Sequence, residues 1–409
     1  MDEPDDAGRS SPTGPAAVKA WRNTVLVAFA LGGITLATWG PRLAGLRDDL
    51  GLGDAGIGLV LSGVTVGSIA GLLASTPLLT RLGGRGVMRL TLLAVAVGLM
   101  TVGLGAGVVR SVPVALLGFA IIGFGVGGLD VAINVEGSKV ERAAGRTLMP
   151  LMHGAWSAGA VLGAVVGAVS TALGVAYAWQ FGAEAALIAL VALVGLGGIA
   201  PGGVSADDAE QAPLRERLRG WLRSWADGRL LLIGLVMLGV ELGEGTANNW
   251  LTLAVHDGHG FRESVATWFF VAFAVGETLA RITGGPAVDR LGRVLTVRLT
   301  TALGVIGLLL FILGTTTPLV LIGTLLWAIG VSMGFPLGMS SAADSGPGPA
   351  ARVSVVATIG YVANLGGPPL IGILSQRLGL LNALFAVVVL LAAGFVFAGA
   401  LRTRRPETT

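Results

Sequence analysis

GPAVDRLGRVLTVR, over Gly285–Arg298, has a weaker twin earlier in the chain, TPLLTRLGGRGVMR over Thr76–Arg89. Pro286 pairs with Pro77, Asp289 with Thr80, and Arg290-Leu291-Gly292 with Arg81-Leu82-Gly83. Each copy follows the second long apolar segment of its half of the chain. A punctuating loop repeated at the same place is most simply the mark of a duplicated unit.

Outward from these loops the chain divides into twelve apolar segments, roughly 22–47, 54–79, 87–109, 112–136, 147–174, 177–200, 229–255, 264–287, 294–314, 317–342, 352–376 and 380–401. They are numbered spans 1 to 12 below, and each is long enough to cross a bilayer as a helix. The apolar pattern stops between Pro201 and Gly228, where PGGVSADDAEQ reads as a flexible connector. After it, PLRERLRGWLRSWADG sets Leu214, Leu218, Trp221, Leu222 and Trp225 on one helical face, which predicts an amphipathic helix on the membrane surface. The expected organisation is a tail over 1–20, a six-helix bundle over 21–200, a linker over 201–228, a second six-helix bundle over 229–402 and a tail over 403–409. The fold class is all-α integral membrane.

Composition agrees: 53% apolar and 12% charged residues with mean hydropathy +0.81 exclude an ordinary soluble domain. Of the 27 Lys and Arg, 21 fall on the tails, the linker and the even-numbered loops. The odd loops keep Arg42, Arg47, Arg110, Arg262 and Arg377, and Arg281 lies inside a span. This positive-inside bias puts both termini in the cytoplasm and the protein in a bacterial inner membrane. A net charge of +3 spread over short loops is a topology signal, so no nucleic-acid partner is expected. With no Cys and three His, thiol chemistry and metal clusters are not expected, nor is any cofactor. The Asp-, Pro- and Gly-rich N-terminal tail has no signal-peptide core, so span 1 is expected to be retained.

The loop GPAVDRLGR resembles the signature of the major facilitator superfamily, roughly G-x-L-x-D-R-x-G-R; the first copy departs from it at Thr80. The resemblance implies twelve helices in two bundles, with spans 2, 5, 8 and 11 passing between them. Small-residue stripes at Gly63, Gly67 and Gly71, at Gly159, Gly163 and Gly167, and at Gly276, Ala280 and Gly284 would then let the halves rock; close static packing explains the same glycines. Asp289, Arg290 and Arg293 take the loop's gating role by this resemblance. GGLDVAINVEG in span 4 resembles the fucose permease group of sugar–proton symporters, with an acid and then Asn four residues on. His153 and Trp156 stand where that group has amides. NVEGSKVERAAGRTLMPLMHGAWSAGA is similar to a YbjJ-like branch of bacterial facilitators.

Ionisable groups within spans are costly and point to function. Asp130 lies about nine residues, or roughly 13 Å, inside the end marked by Lys139. It shares a helical face with Asn134. It can carry a proton or bond a neighbouring helix. His153 titrates near neutrality and is a second coupling candidate, or a buried hydrogen-bonding histidine; Glu241 is the third. Span 7, GVELGEGTANNWLTL, aligns Glu241, Glu244 and Asn248 beside glycines. Glu244 and Asn248 are expected to contact substrate with Asn134 and Trp156, and Trp39, Trp327 and Asn364 are further cavity candidates. Trp250 reads either as an interface-belt aromatic or as a sugar platform. Glu277 and Arg281, four residues apart, form an ion pair or gate. Gly366-Gly367-Pro368-Pro369 predicts a kink in span 11.

No GxxxxGK[ST] loop or nucleophile constellation occurs, so neither ATP drive nor an enzyme is expected. The sequence reads as a monomeric secondary transporter for a small polar, sugar-like solute, coupled to protons. Drug–proton antiport and a sensor that binds without translocating are the other readings.

Overall fold

The computed structural model of the protein describes residues 14–145, 148–199, 222–346 and 349–402. The expected tails, and the linker with Leu214, Leu218 and Trp221, lie almost wholly outside the described residues. Helices run over Pro15–Thr38, Asp54–Gly107, Val112–Ala144, Met149–Ala172, Tyr177–Val194, Gly228–Leu253, Glu263–Leu313, Thr317–Ser332, Gly334–Ala343, Pro349–Leu378 and Phe385–Phe397, and no strand occurs among the described residues. Asp54–Gly107 and Glu263–Leu313 are each about twice the length a bilayer needs. Each contains one break, at Gly83 (φ 67°, ψ 172°) and at Gly292 (φ 75°, ψ 163°). Divided there, the helices make twelve spans.

The two breaks are the paired glycines of the repeated loop. Their dihedrals lie in a region that side chains with a Cβ avoid, so glycine allows the chain to reverse between antiparallel helices with almost no loop. The sequence pattern predicts connecting loops of several residues here. Helical turns instead continue to either side of the single glycine.

Packing repeats as the sequence does. In the first half span 1 lies against span 5, spans 2 and 3 against span 4, and span 3 against span 6; in the second half span 7 lies against span 11, spans 8 and 9 against span 10, and span 12 against spans 7 and 9. The halves meet through span 2 with span 11 and span 5 with span 8. The glycine stripes face the other way from the expectation. A Cβ at Gly63, Gly67 or Gly71 would strike the carbonyls of Leu116, Ala120 or Phe124 in span 4, and one at Gly159, Gly163 or Gly167 would meet Ala30, Ile34 or Thr38 in span 1. Gly276 and Gly284 face Leu325, Ala328 and Met333. These stripes therefore bring helices of one half together, where van der Waals contact stands in for the missing hydrophobic drive.

In span 11 the helix Pro349–Leu378 runs on through Pro368 and Pro369. Proline has no N–H, so the carbonyl of Asn364, four residues before Pro368, loses its helical donor. Elsewhere hydroxyls fold back within the helices, as Thr35, Ser75, Thr91, Thr301 and Thr324 donate to carbonyls four residues earlier. This satisfies them where no water is available.

One end of the bundle carries residues 14 and 402 and the Gly83 and Gly292 turns, and is called here the tail end. At the far end Arg47 of the segment after span 1 pairs with Asp54, at 3.2 Å, and with Asp257 of the other half. The Gly45 N–H donates to Glu263 (3.2 Å), and the Ser375 hydroxyl donates to Asp54. Trp250 is fully buried beneath them, with its ring against Gly58 of span 2 and Gly372 of span 11. It is a plug between the halves, neither a belt residue nor a ligand platform. Arg42 is also buried, donating to Thr171 (3.2 Å) and to the Val175 carbonyl, with its guanidinium 4.4 Å from the Tyr177 ring centroid. It ties span 1 to the turn between spans 5 and 6.

Candidate substrate cavity

Below the Trp250 plug a cavity opens between the halves. Leu36, Trp39, Leu61, Val64 and Thr65 form one wall, and Asn248, Asn249, Asn364 and Pro368 form the other. The first half thus supplies a mostly apolar face and the second an amide face. Trp39 is held edge-on against Phe119 with centroids 5.8 Å apart. Asn249 donates to the Gly245 carbonyl (2.7 Å), which fixes its amide. Gly245 lies close against the Asn364 backbone: a Cβ there would come within 2.6 Å of the Asn364 carbonyl oxygen. Any side chain at 245 would push spans 7 and 11 apart and spread the amide wall.

The second half also contains a cluster of charges. Arg281 lies 2.6 Å from Glu244 and 2.7 Å from Glu277, and its Nε donates to the Ser332 carbonyl (3.2 Å). The expected Glu277–Arg281 pair is present, but Arg281 also reaches across to span 7. Glu244 is therefore held by a cation instead of standing free for substrate. Glu241, one turn before Glu244, is buried; one carboxylate oxygen lies 3.5 Å from the Asn364 amide and the other has no partner. Two carboxylates pair with one guanidinium, whose charge also reaches the third, Glu241.

In the first half the Asn134 amide donates to the Asp130 carbonyl (2.8 Å) and carboxylate (3.2 Å), as their shared face predicts. The other Asp130 oxygen accepts from the Tyr361 hydroxyl of span 11 at 3.3 Å. Tyr361 belongs to the other half, and its ring packs edge-on against Phe335 (6.2 Å). Asp130 is therefore bonded across the line on which the halves meet.

His153 is exposed and edge-on to Phe29 (5.3 Å), close enough to Arg281 for the charge to act on it. It is not the buried, bonded histidine of the alternative reading. Trp156 fills the space beside Gly32 of span 1, so it serves as packing between spans 1 and 5. Trp327 does not reach the cavity. It is fully buried among Phe273 (5.6 Å) and Phe311 (5.6 Å), because the outward face of span 10 that carries it packs on spans 8 and 9. Asp289 and Arg290 are exposed at the tail end without an ion-pair partner among the described residues, and Arg293 pairs with Asp344 of its own half (2.6 Å).

Four residues escaped the sequence reading. Tyr361 and Asn249 carry no charge, so the cost argument that singled out Asp130 passed them by. Glu184 and Gln180 of span 6 bond Thr38 of span 1, and Glu184 is a carboxylate in an apolar run that the same argument would have found.

The family model described as Major Facilitator Superfamily matches residues 233–409. An uncharacterized transporter, y4wD, from Sinorhizobium fredii is 30% identical over 375 residues, covering 91% of this chain and 95% of its own length. The chain belongs to the major facilitator superfamily. Among solved structures, the nucleoside transporter NupG superposes with a TM-score of 0.68 at 17% identity, covering 94% of this chain and 98% of its own. A D-xylose-proton symporter superposes with a TM-score of 0.72 at 14% identity, covering 96% and 99%. At such identities the likeness concerns the fold. The matched segment is the half whose loop keeps Asp289; the half with Thr80 is covered by the full-length relative.

Proposed function

We propose that this facilitator moves a small, uncharged, hydroxyl-rich solute, sugar-like in its polar edges, together with protons by alternating access. The observation that carries the reading is the Asp130–Tyr361 bond, because it ties one half-buried carboxyl to the way the halves meet. A carboxyl that accepts from Tyr361 in one arrangement and loses that donor in another binds its proton with different strength in the two. Glu241, Glu244 and Glu277 reinforce the argument: one guanidinium does not balance three carboxylates in a low-dielectric medium, so protons complete the charge. The amide wall and Trp39 suit a neutral solute, since amides both donate and accept and the ring offers an apolar face. The resemblance to the fucose permease group and the D-xylose-proton symporter among the fold neighbours point the same way.

In this reading the two bundles span 21–200 and 229–402, the protein is an inner-membrane monomer, and the tail end faces the cytoplasm, so the cavity is closed to the outside. Tags at residue 1, within 205–212 and at residue 409 should all be reached only from the cytoplasm. The direct test is Asp130→Asn in proteoliposomes. The variant should still exchange solute between equal pools and should lose accumulation driven by a pH gradient alone. Accumulation at the wild-type level would remove Asp130 from coupling and leave Glu241 and His153 to be tested.

A further inference from the structure

The coupling residues of the proposed function lie around the cavity, but a separate set of polar side chains is sealed between spans 1 and 6. Thr38 is 0% exposed, Gln180 5% and Glu184 9%. The Thr38 hydroxyl donates to Glu184 Oε1 at 2.8 Å, and the Gln180 amide donates to Thr38 (3.0 Å) and to the same Glu184 oxygen (3.2 Å). Among the described residues the other carboxyl oxygen, Glu184 Oε2, has no partner, and neither has the Gln180 oxygen, Oε1. Two buried acceptors on side chains that already touch, with no donor for either, form a costly arrangement.

One proton on Glu184 Oε2, donated to Gln180 Oε1, would give both atoms a partner. A carboxylic acid and a carboxamide are complementary edge to edge: the amide N–H donates to the acid carbonyl and the acid O–H donates to the amide oxygen. The first of those two bonds is already present, and Gln180 and Glu184, one helical turn apart, are on the same face. Among the described residues span 1 presents Thr38 to the carboxyl, and Arg42, just past the helix Pro15–Thr38, is the cation whose charge reaches it. Tyr177 on span 6 itself is turned toward Arg42 and Gly45, and span 3 brings Met100, Gly103 and Gly107, which do not titrate, to the neighbouring face. Arg42 is meanwhile committed to Thr171, the Val175 carbonyl and the Tyr177 ring.

We propose that Glu184 is a second proton-holding site of the transporter, its carboxyl neutral in this state and paired edge to edge with the Gln180 carboxamide. The proton adds to the carboxylate at Oε2 and is shared with Gln180 Oε1; no other bond forms or breaks. Thr38 directly precedes Trp39, which lines the cavity. A solute that displaces Trp39 would shift the hydroxyl bonded to Glu184, so occupancy of the cavity and of the proton site are linked reciprocally. This last step rests on the proposed transport reading; the protonation itself does not.

Infrared difference spectra of purified protein in lipid at neutral pH test the assignment without any solute. Glu184→Gln should remove one carboxylic-acid carbonyl band and leave the carboxylate bands unchanged. Gln180→Leu, which keeps the acid but removes its acceptor, should shift that band to higher frequency, and it serves also if Glu184→Gln does not fold. Loss of carboxylate intensity in Glu184→Gln, or an acid region unchanged by Gln180→Leu, would overturn the proposal. If the acid band belongs to Glu184 while Asp130→Asn still accumulates solute at the wild-type level under a pH gradient alone, the coupling reading at Asp130 fails and this site stands.

Discussion

The two ends of the molecule are held by opposite kinds of bond. At the far end several polar contacts cross between the halves: Arg47 with Asp257, Ser375 with Asp54, and Gly45 with Glu263, above Trp250. At the tail end they run within each half. Trp21 and Lys139 bond Glu136 (both 3.0 Å), and Arg89 bonds the Ala192 carbonyl (3.2 Å). In the second half Arg352 joins Asp227 and Ser345, and Arg293 joins Asp344. The tail end can therefore stay open with each half intact, whereas opening the far end must break every cross-half contact above. Asp289 and Arg290 at the tail end have no ion-pair partner among the described residues.

Removing the plug is the hardest test of this contrast. Trp250→Ala deletes the largest fully buried side chain between the halves and should cost about 3–5 kcal/mol, the usual range for a core Trp or Phe truncated to Ala. Thermal unfolding in detergent should show a clearly lower Tm, with a fall in folded yield. An unchanged Tm would mean that the far end is not a packed interface.

Breaking the charge cluster above it should have a smaller effect. Arg47→Gln leaves Asp54 and Asp257 without their cation, and because these side chains are partly exposed the cost is about 1–2 kcal/mol. The chain has no native cysteine, so Asn248→Cys provides a reporter with no background. In that background Arg47→Gln should raise labelling of the cavity from the far side roughly fivefold to tenfold or more, because 1.4 kcal/mol corresponds to a factor of ten. Equal labelling rates would show that the cluster does not hold the halves.

Tyr361→Phe tests the one polar contact across the halves at Asp130. It keeps the ring against Phe335 and removes a single long hydrogen bond, for an expected cost of about 0.5–1 kcal/mol. Labelling of the cavity from the tail side should rise by a few-fold while far-side labelling stays unchanged. An increase on both sides would make Tyr361 a packing residue and not a latch.

How far the sequence carried this picture depends on what each residue does to the chain around it. Twelve spans, the duplication and the Glu277–Arg281 pair were legible because periodicity, charge and spacing are local. The conformational role of Gly83 and Gly292 was implicit in the repeat, since a matched glycine in a matched loop is where a reversal belongs. The direction of the glycine stripes was not legible: a helix with small residues on one face packs closely against something, but the sequence does not say which helix. Trp327 failed for the same reason, and the ion pair of Glu244 was not foreseen because its partner Arg281 comes from another span. Asp130 and Asn134 were found as a pair, whereas Tyr361, more than two hundred residues away, had no signature. Long-range polar pairs between uncharged and charged residues are set by tertiary packing alone.

The smallest expected effect separates bonds within a half from bonds between halves most cleanly. Asp227 caps span 7, accepting from the Arg229 and Leu230 N–H groups (2.9 and 3.1 Å), while its other oxygen accepts from Arg352. Burial alone would raise this carboxyl, but the Arg352 hydrogen bond and charge, with the two cap bonds, outweigh it and hold the group below the usual carboxylate value. The folded value thus lies below the unfolded one, which is about 3.9 for Asp. The stabilisation is complete above that unfolded value and is lost as pH falls through the lower folded value. Asp227→Asn should accordingly lower Tm slightly near neutrality, and the two Tm curves should converge in strong acid. Because the bonds it removes lie inside one half, labelling of the cavity from either side should not change. Curves that stay parallel down to acid would deny Asp227 its ionic role, and a change in far-side labelling would mean that the tail end, too, governs how the halves meet.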